Sequence, residues 1–178
     1  MNLMLRRDFL LGLAATGGAL LVSGCSTAPV IMATERATPV SSVSPAEARV
    51  ALNAMRRENG LAELTHNAML QAVAEEQAGI MARTTKVAHT AEKDQPFIER
   101  LRRAGFWGGA GENLAGGPPN LATVIDGWMK SPAHHKVMIN PDYVQFGISV
   151  KRGPATTFNT YGTYWALIMG VRSPGMTA

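Results

Sequence analysis

The sequence predicts an α+β domain in which helices pack on an antiparallel sheet. Three observations carry this expectation. Apolar residues recur at helical spacing behind capping signals from Ser44 to Met138. Aromatic and β-branched residues concentrate near the end, in residues 146–150 and 163–169. Helices first and strands last is the order of an α+β chain.

Each element has its own local warrant. Ser44-Pro45-Ala46-Glu47 is a capping box with proline at the first helical position. Ala48, Ala51, Leu52 and Met55 follow at helical spacing, and Gly60 marks the helix end. Asn67 is placed to cap a second helix whose apolar stripe is Leu70, Val73, Ala74, Ala78 and Met81. A loop with Thr84, Thr85 and His89 comes next. Asp94-Gln95-Pro96 opens a third helix, expected to turn Phe97, Ile98 and Leu101 inward. Arg100, Arg102 and Arg103 read as its solvated face, interrupted by Glu99.

Gly108-Gly109-Ala110-Gly111 reads as loop, Glu112-Asn113-Leu114-Ala115 as a short extended or turned piece, and Gly116-Gly117-Pro118-Pro119 as a second break. Asn120 caps a fourth helix carrying Leu121, Val124, Ile125 and Trp128. Ser131-Pro132 is a cap-plus-proline start for a short helix bearing His134, Val137 and Met138. Gly153-Pro154 separates the two strands.

The first twenty-five or so residues read as an address and not as fold. Arg6-Arg7-Asp8-Phe9-Leu10 is similar to a twin-arginine export signal. An apolar run follows, shorter than the roughly 20 residues of a spanning helix. Val22-Ser23-Gly24-Cys25 is similar to a lipobox, and Cys25 is the one cysteine of the chain. In such signals the thiol receives a diacylglycerol and becomes the new N-terminus. The expectation is an exported protein held on the bacterial envelope by its acyl chains. Ser26 after the cysteine fits the outer membrane, on its periplasmic face, if the source is Gram-negative. Residues 26–43, rich in Ser, Thr, Pro and Ala, read as a flexible linker. Residues 44–173 are left as one domain. The net charge of +4 is not gathered on one face, which excludes a nucleic-acid partner.

Candidate chemistry gathers at His89, Glu112 and His134. Two neutral imidazoles and a carboxylate could hold a zinc ion with water in the fourth position. Their scattered spacing is unlike a compact helix-borne zinc motif. Glu112 could equally lock the glycine-flanked turn, and Ser131 could serve as the cap of the helix carrying His134. Asn113, Ser131 and His135 are expected to line the same cleft, and His66 to be surface. Trp128 and Trp165 read as core. Trp107, beside Phe106 and Gly108-Gly109, reads as a staple holding its loop or as a stacking platform.

The order of these pieces resembles the CAP superfamily of cysteine-rich secretory, antigen 5 and pathogenesis-related class one proteins, also called SCP-like. Asn53, Arg56, Gly60-Leu61 and Leu64 resemble its opening helix and turn, and Leu70 with Ala74 its second helix. Gly111-Glu112-Asn113-Leu114-Ala115 resembles its most diagnostic motif. Trp128, Ser131, His134 and Gly147 resemble the bacterial form of its second motif, and Tyr164-Trp165 its final strand. The resemblance runs from Asn53 to about Gly170. It implies a three-layer α-β-α sandwich with a cleft in which His89, Glu112 and His134 take the places of the two histidines and the first acid. The second acid's place is taken by Ser131, so the cluster lacks a member. The disulfides of eukaryotic relatives are also missing.

The resemblance implies lipid binding, as in several relatives. The leading expectation is therefore a lipid-anchored envelope module that binds a lipid, sterol-like or glycan ligand through the His/Glu cleft. One rival is a metal-assisted hydrolase of peptide or cell-wall material, with Glu112 as ligand or general base and zinc as a divalent cofactor. The other is an envelope interaction protein whose cluster is structural.

Overall fold

Residues 164–169 are apolar or aromatic on both faces of an extended chain, which is the pattern of a strand covered on both sides. In the computed structural model, which describes residues 38–93 and 95–172, this stretch lies in one of the two inner strands of the sheet. The elements in chain order are α1 (Pro45–Glu58), β1 (Thr65–His66), α2 (Ala68–Thr84), α3 (Phe97–Arg103), β2 (Ala110–Gly116), α4 (Leu121–Lys130), α5 (Pro132–Met138), β3 (Gln145–Arg152) and β4 (Thr163–Gly170).

Strand β4 is buried along its whole length. Successive side chains point to opposite faces, and the two sets join different cores. Trp165, Leu167 and Met169 pack with α1, α4 and α5. Tyr164, Ala166 and Ile168 pack with α2, Leu101 of α3 and Phe106. The result is the three-layer α-β-α sandwich that the resemblance implied.

The sheet order is β1-β3-β4-β2. Strand β4 is antiparallel to both neighbours, with Glu112 opposite Ile168 and Gly147 opposite Ile168 on the other side. The sheet is nevertheless mixed and not wholly antiparallel, because β1 runs parallel to β3 with Thr65 opposite Gln145. Two residues are too few to show a period of two, so this strand left no pattern to read. It ends where Asn67 turns to cap α2, its Oδ1 accepting from the N–H groups of Met69 and Leu70.

Other local expectations divide. Ser44 Oγ accepts from Glu47 N–H, and Asn120 Oδ1 from Thr123 N–H. Ser131 opens α5 by position, but its side chain makes no capping bond; Pro132, with its fixed φ, starts the helix. In α3, Ile98 is exposed and Arg100 is buried, the reverse of the expectation. Phe97, Arg100 and Leu101 stand at i, i+3 and i+4, so they share one stripe and Ile98 falls off it. Residues 110–116 form a full edge strand instead of a loop and a short piece.

The docked domain begins earlier than Ser44. Val40 and Val43 pack on the α1/α4 core, and Val40 N–H donates to Pro119 O at 2.9 Å. The features at Arg6, Arg7 and Cys25, and the linker up to residue 37, lie outside the described residues. Among the described residues no helix is long and apolar enough to cross a membrane.

Two tight features set the layers. Arg56 is fully buried and spends its guanidinium on the carbonyls of Ala62, Asn140 and Tyr143, at 2.8–2.9 Å, which fixes the loop between α5 and β3. Gly147 lets α2 lie directly on β3, since any Cβ there would sit inside the backbone of Leu70 and Gln71. Gly147→Ala is expected to destabilise the domain by about 3 kcal/mol through overpacking. A urea-unfolding midpoint unchanged from the parent protein would contradict this.

Candidate functional site

The site is built on β2, an edge strand whose outer side no other strand covers among the described residues. Alternation along it sends Glu112 and Leu114 toward the α2/α3 layer and Asn113 and Ala115 toward the other. The adjacent residues Glu112 and Asn113 therefore act on opposite faces.

Glu112 is held from two sides. Its Oε2 accepts from Arg100 Nη2 at 2.6 Å, in an ion pair whose side chains are 0 % and 1 % exposed. Its Oε1 lies 2.8 Å from His89 Nδ1, which donates to it when that nitrogen carries the proton. Arg100 Nη1 donates to the backbone oxygens of His89, at 3.1 Å, and of Gln95. Gln77, fully buried in α2, donates from Nε2 to Ala88 O at 2.7 Å. The consecutive carbonyls of Ala88 and His89 are thus tethered to two different helices. The ring itself reaches solvent, with 64 % of its side chain exposed.

His134 arrives from the other face. Asn113 Nδ2 donates to its backbone oxygen at 3.0 Å, which ties α5 to the strand. The two imidazoles are close enough to act on one another electrostatically. The bond to Glu112 raises the His89 pKa above its ordinary value, against partial desolvation and the Arg100 charge. Burial, and then the positive field of His89, lower that of His134. Oppositely shifted neighbours are the arrangement that separates an acid from a base.

The other expected cleft residues divide. Asn113 is buried and serves as the tie to α5. Ser131 and His135 are half-buried, and no side-chain hydrogen bond joins either to the cluster. His66 is exposed, edge-on to Phe146. Trp107 is exposed at the surface, so it does not staple its loop to the core, whereas Trp128 and Trp165 are buried as expected.

The donor set does not fit the zinc centre considered from sequence. Both carboxylate oxygens of Glu112 are engaged, and His89 has only Nε2 left to offer. Among the described residues no three His, Cys, Asp or Glu side chains are disposed to hold a metal ion.

Arg100 and Gln77 belong to the site although the sequence reading does not single them out. Each has a signal. Arg100 lies on the stripe of Phe97, and Gln77 is a polar residue at i+4 from Val73 and i+3 from Ala74, inside an apolar stripe.

The family model of the cysteine-rich secretory proteins, CAP, matches residues 50–169. The chain belongs to the CAP family. The uncharacterized membrane protein YlbC of Bacillus subtilis is 29 % identical over 101 residues, 56 % of this chain and 29 % of that one. An extracellular protein with an SCP domain from Bacillus anthracis superposes with a TM-score of 0.61 at 20 % identity, over 71 % of this chain and 40 % of its own. An outer surface protein from Borrelia burgdorferi gives 0.60 at 23 % identity, over 74 % of this chain and 98 % of its own. This chain thus spans less than half the length of both Bacillus proteins. The structural likenesses establish the fold of the CAP domain.

Arg100→Met leaves Glu112 buried without its main counter-charge and is expected to cost about 3–5 kcal/mol. The double variant Arg100→Met/Glu112→Leu should recover part of that loss, which denaturant titration of both proteins checks. In an NMR titration, His89 should gain its proton at higher pH than His134. With its folded pKa raised, the His89 contribution to stability is full below about 6.5 and is lost as pH rises through the folded value. The His134 contribution has the opposite sense: it is present above about 6.5 and lost as pH falls. The reverse order of titration would contradict the geometry.

Proposed function

We propose that this CAP domain is a ligand-binding module of the bacterial envelope that takes a neutral, sterol-like or acylglycerol lipid between α1 and α4. The observation that carries the reading is an apolar groove of about 420 Å³. Ala51, Ala54, Met55, Ala122, Ile125 and Met129 line it, and Glu58 and Asp126 stand at its rim. The volume lies within the roughly 300–1,000 Å³ of ordinary ligand sites. Each methylene removed from water there contributes about 0.8 kcal/mol. Asp126 is already paired with Lys130 at 2.8 Å, and Glu58, the carboxylate of the lining left unpaired among the described residues, repels a fatty-acid or phosphate head, so the chemistry favours an uncharged one.

The polar cluster argues against Glu112 as the general base, because both its oxygens are already taken by Arg100 and His89. In this reading Arg100 and Glu112 shape the wall of the domain and His89 offers a single polar contact. Export rests on Arg6-Arg7, and anchoring on Cys25, with the outer membrane as the destination in a Gram-negative cell. The extracellular, outer-surface and membrane descriptions of the relatives agree with an envelope address.

Hydrolysis of peptide or wall material is the second reading, favoured by the opposed shifts of His89 and His134. Its mark would be turnover of a wall peptide that His89→Ala and His134→Ala each abolish.

The lipid reading is tested by native mass spectrometry with a fluorescent sterol, a diacylglycerol and palmitate as separate probes. The neutral lipids are expected to bind and palmitate to bind more weakly. Ala54→Trp, which fills the groove from a half-buried position, should weaken neutral-lipid binding at least about tenfold, or about 1.4 kcal/mol. No uptake of either neutral lipid, or equal uptake by Ala54→Trp, would overturn it.

A further inference from the structure

We propose that a second hollow, between the loop leading to His89 and the turn joining β3 to β4, is a subsite for an uncharged sugar ring. It encloses about 370 Å³ and is bounded by Thr85, Val87, Gly116, Thr156, Phe158 and Asn159, with Tyr164 behind them. It shares no residue with the groove between α1 and α4, so the two sites stand or fall separately.

Phe158 is the first observation. It is 96 % exposed, more than any other large apolar side chain among the described residues. It is not on a loose loop. Thr156 N–H donates to Asn159 O at 2.9 Å, and Asn159 N–H donates to Thr156 Oγ1 at 3.0 Å. The Asn159 amide then clamps Thr163, donating to its oxygen at 2.7 Å and accepting from its N–H at 3.2 Å. Tyr164 Oη donates to Pro154 O at 2.9 Å, which fixes the start of the same turn. A ring held out in water by a hydrogen-bonded frame is preorganised for a partner that covers it. Val87, 46 % exposed, borders the same hollow.

Thr85 is the second. It is the one residue other than glycine with positive φ among the described residues, at +57°. A β-branched residue in that region is strained. Glycine or asparagine is the usual choice at such a helix end. The threonine instead sets a hydroxyl at the rim. That hydroxyl donates to Thr84 O, so its lone pairs remain to accept. Thr156 Oγ1 accepts from Asn159 N–H, so its own proton remains to donate.

The lining selects the ligand class. It contains no charged side chain, so a phosphate or carboxylate finds no counter-ion there. A bare acyl chain would leave the remaining Thr85 lone pairs and the Thr156 hydroxyl proton unmet on desolvation. A pyranose has what the hollow asks for: an apolar C–H face for Phe158 and hydroxyl or acetamido edges for Thr85 and Thr156. At the strand end, a Cβ on Gly116 would come within 2.7 Å of Val87 Cγ2 and 3.2 Å of Asn159 Nδ2, so the floor is closed with no side chain projecting from it.

The test is a titration of the ¹⁵N-labelled protein with tetra-N-acetylchitotetraose, and in parallel with maltotetraose and with dodecanoate. At least one oligosaccharide should shift the amides of Val87, Thr156 and Asn159, with a Kd of about 1 mM or tighter. Phe158→Ala, at a solvent-exposed position, should weaken this at least about tenfold. Thr85→Gly, which relaxes the backbone and removes the hydroxyl, should weaken it while raising the melting temperature. Ala54→Trp should leave sugar binding unchanged. A chitotetraose preference would identify an acetamido-bearing glycan, and equal binding a general pyranose subsite; both support the proposal. Silence of those amides with both sugars, full retention in Phe158→Ala, or dodecanoate alone occupying the hollow would overturn it.

Discussion

The ion pair between Arg100 and Glu112 is the constraint on which the sheet edge depends. Withdrawing two charges from water is costly, and the close pairing with its added backbone contacts offsets that cost even though the buried Arg100 Nε has no hydrogen-bond partner among the described residues. Here the carboxylate divides itself between Arg100 and His89, and the guanidinium reaches both the carboxylate and the backbone ahead of α3. Helix α3, strand β2 and the segment carrying His89 are thereby one unit. Removing either charge would strand the other in an apolar layer beside Leu101, Phe106 and Leu114.

Arg56 does comparable work across the sheet, where its donors gather the chain after α5. Two buried guanidiniums, one per layer, each bind backbone oxygens: Arg56 reaches carbonyls more than 80 residues away, and Arg100 the segment just ahead of its own helix. Several donors in a rigid plane suit this task better than a lysine ammonium. The tie through Asn113 then secures the outer strand from the second face.

The layers are legible in the sequence because their signals are periodic. Two-sided burial of 164–169 and the stripes of α1, α2 and α4 can be read without coordinates. What escapes is short or relational. Strand β1 has two residues and no period. Arg100 resembles one of three surface arginines when composition, and not spacing from Phe97, is weighed. The meeting of His89 with Glu112 follows from the family resemblance, yet the saturation of that carboxylate does not, since its partner lies on a helix face that reads as solvated. Ser131 holds the expected position without a capping bond, because the following proline already fixes the backbone.

The domain places no thiol anywhere between residues 44 and 173. Its distant loops are joined by guanidinium and amide contacts. Maturation therefore needs no oxidant, no isomerase for shuffling sulfur pairs and no particular redox potential. No disulfide can form within residues 44–173, so a change in the reducing power of the surroundings leaves the covalent connectivity of the domain untouched.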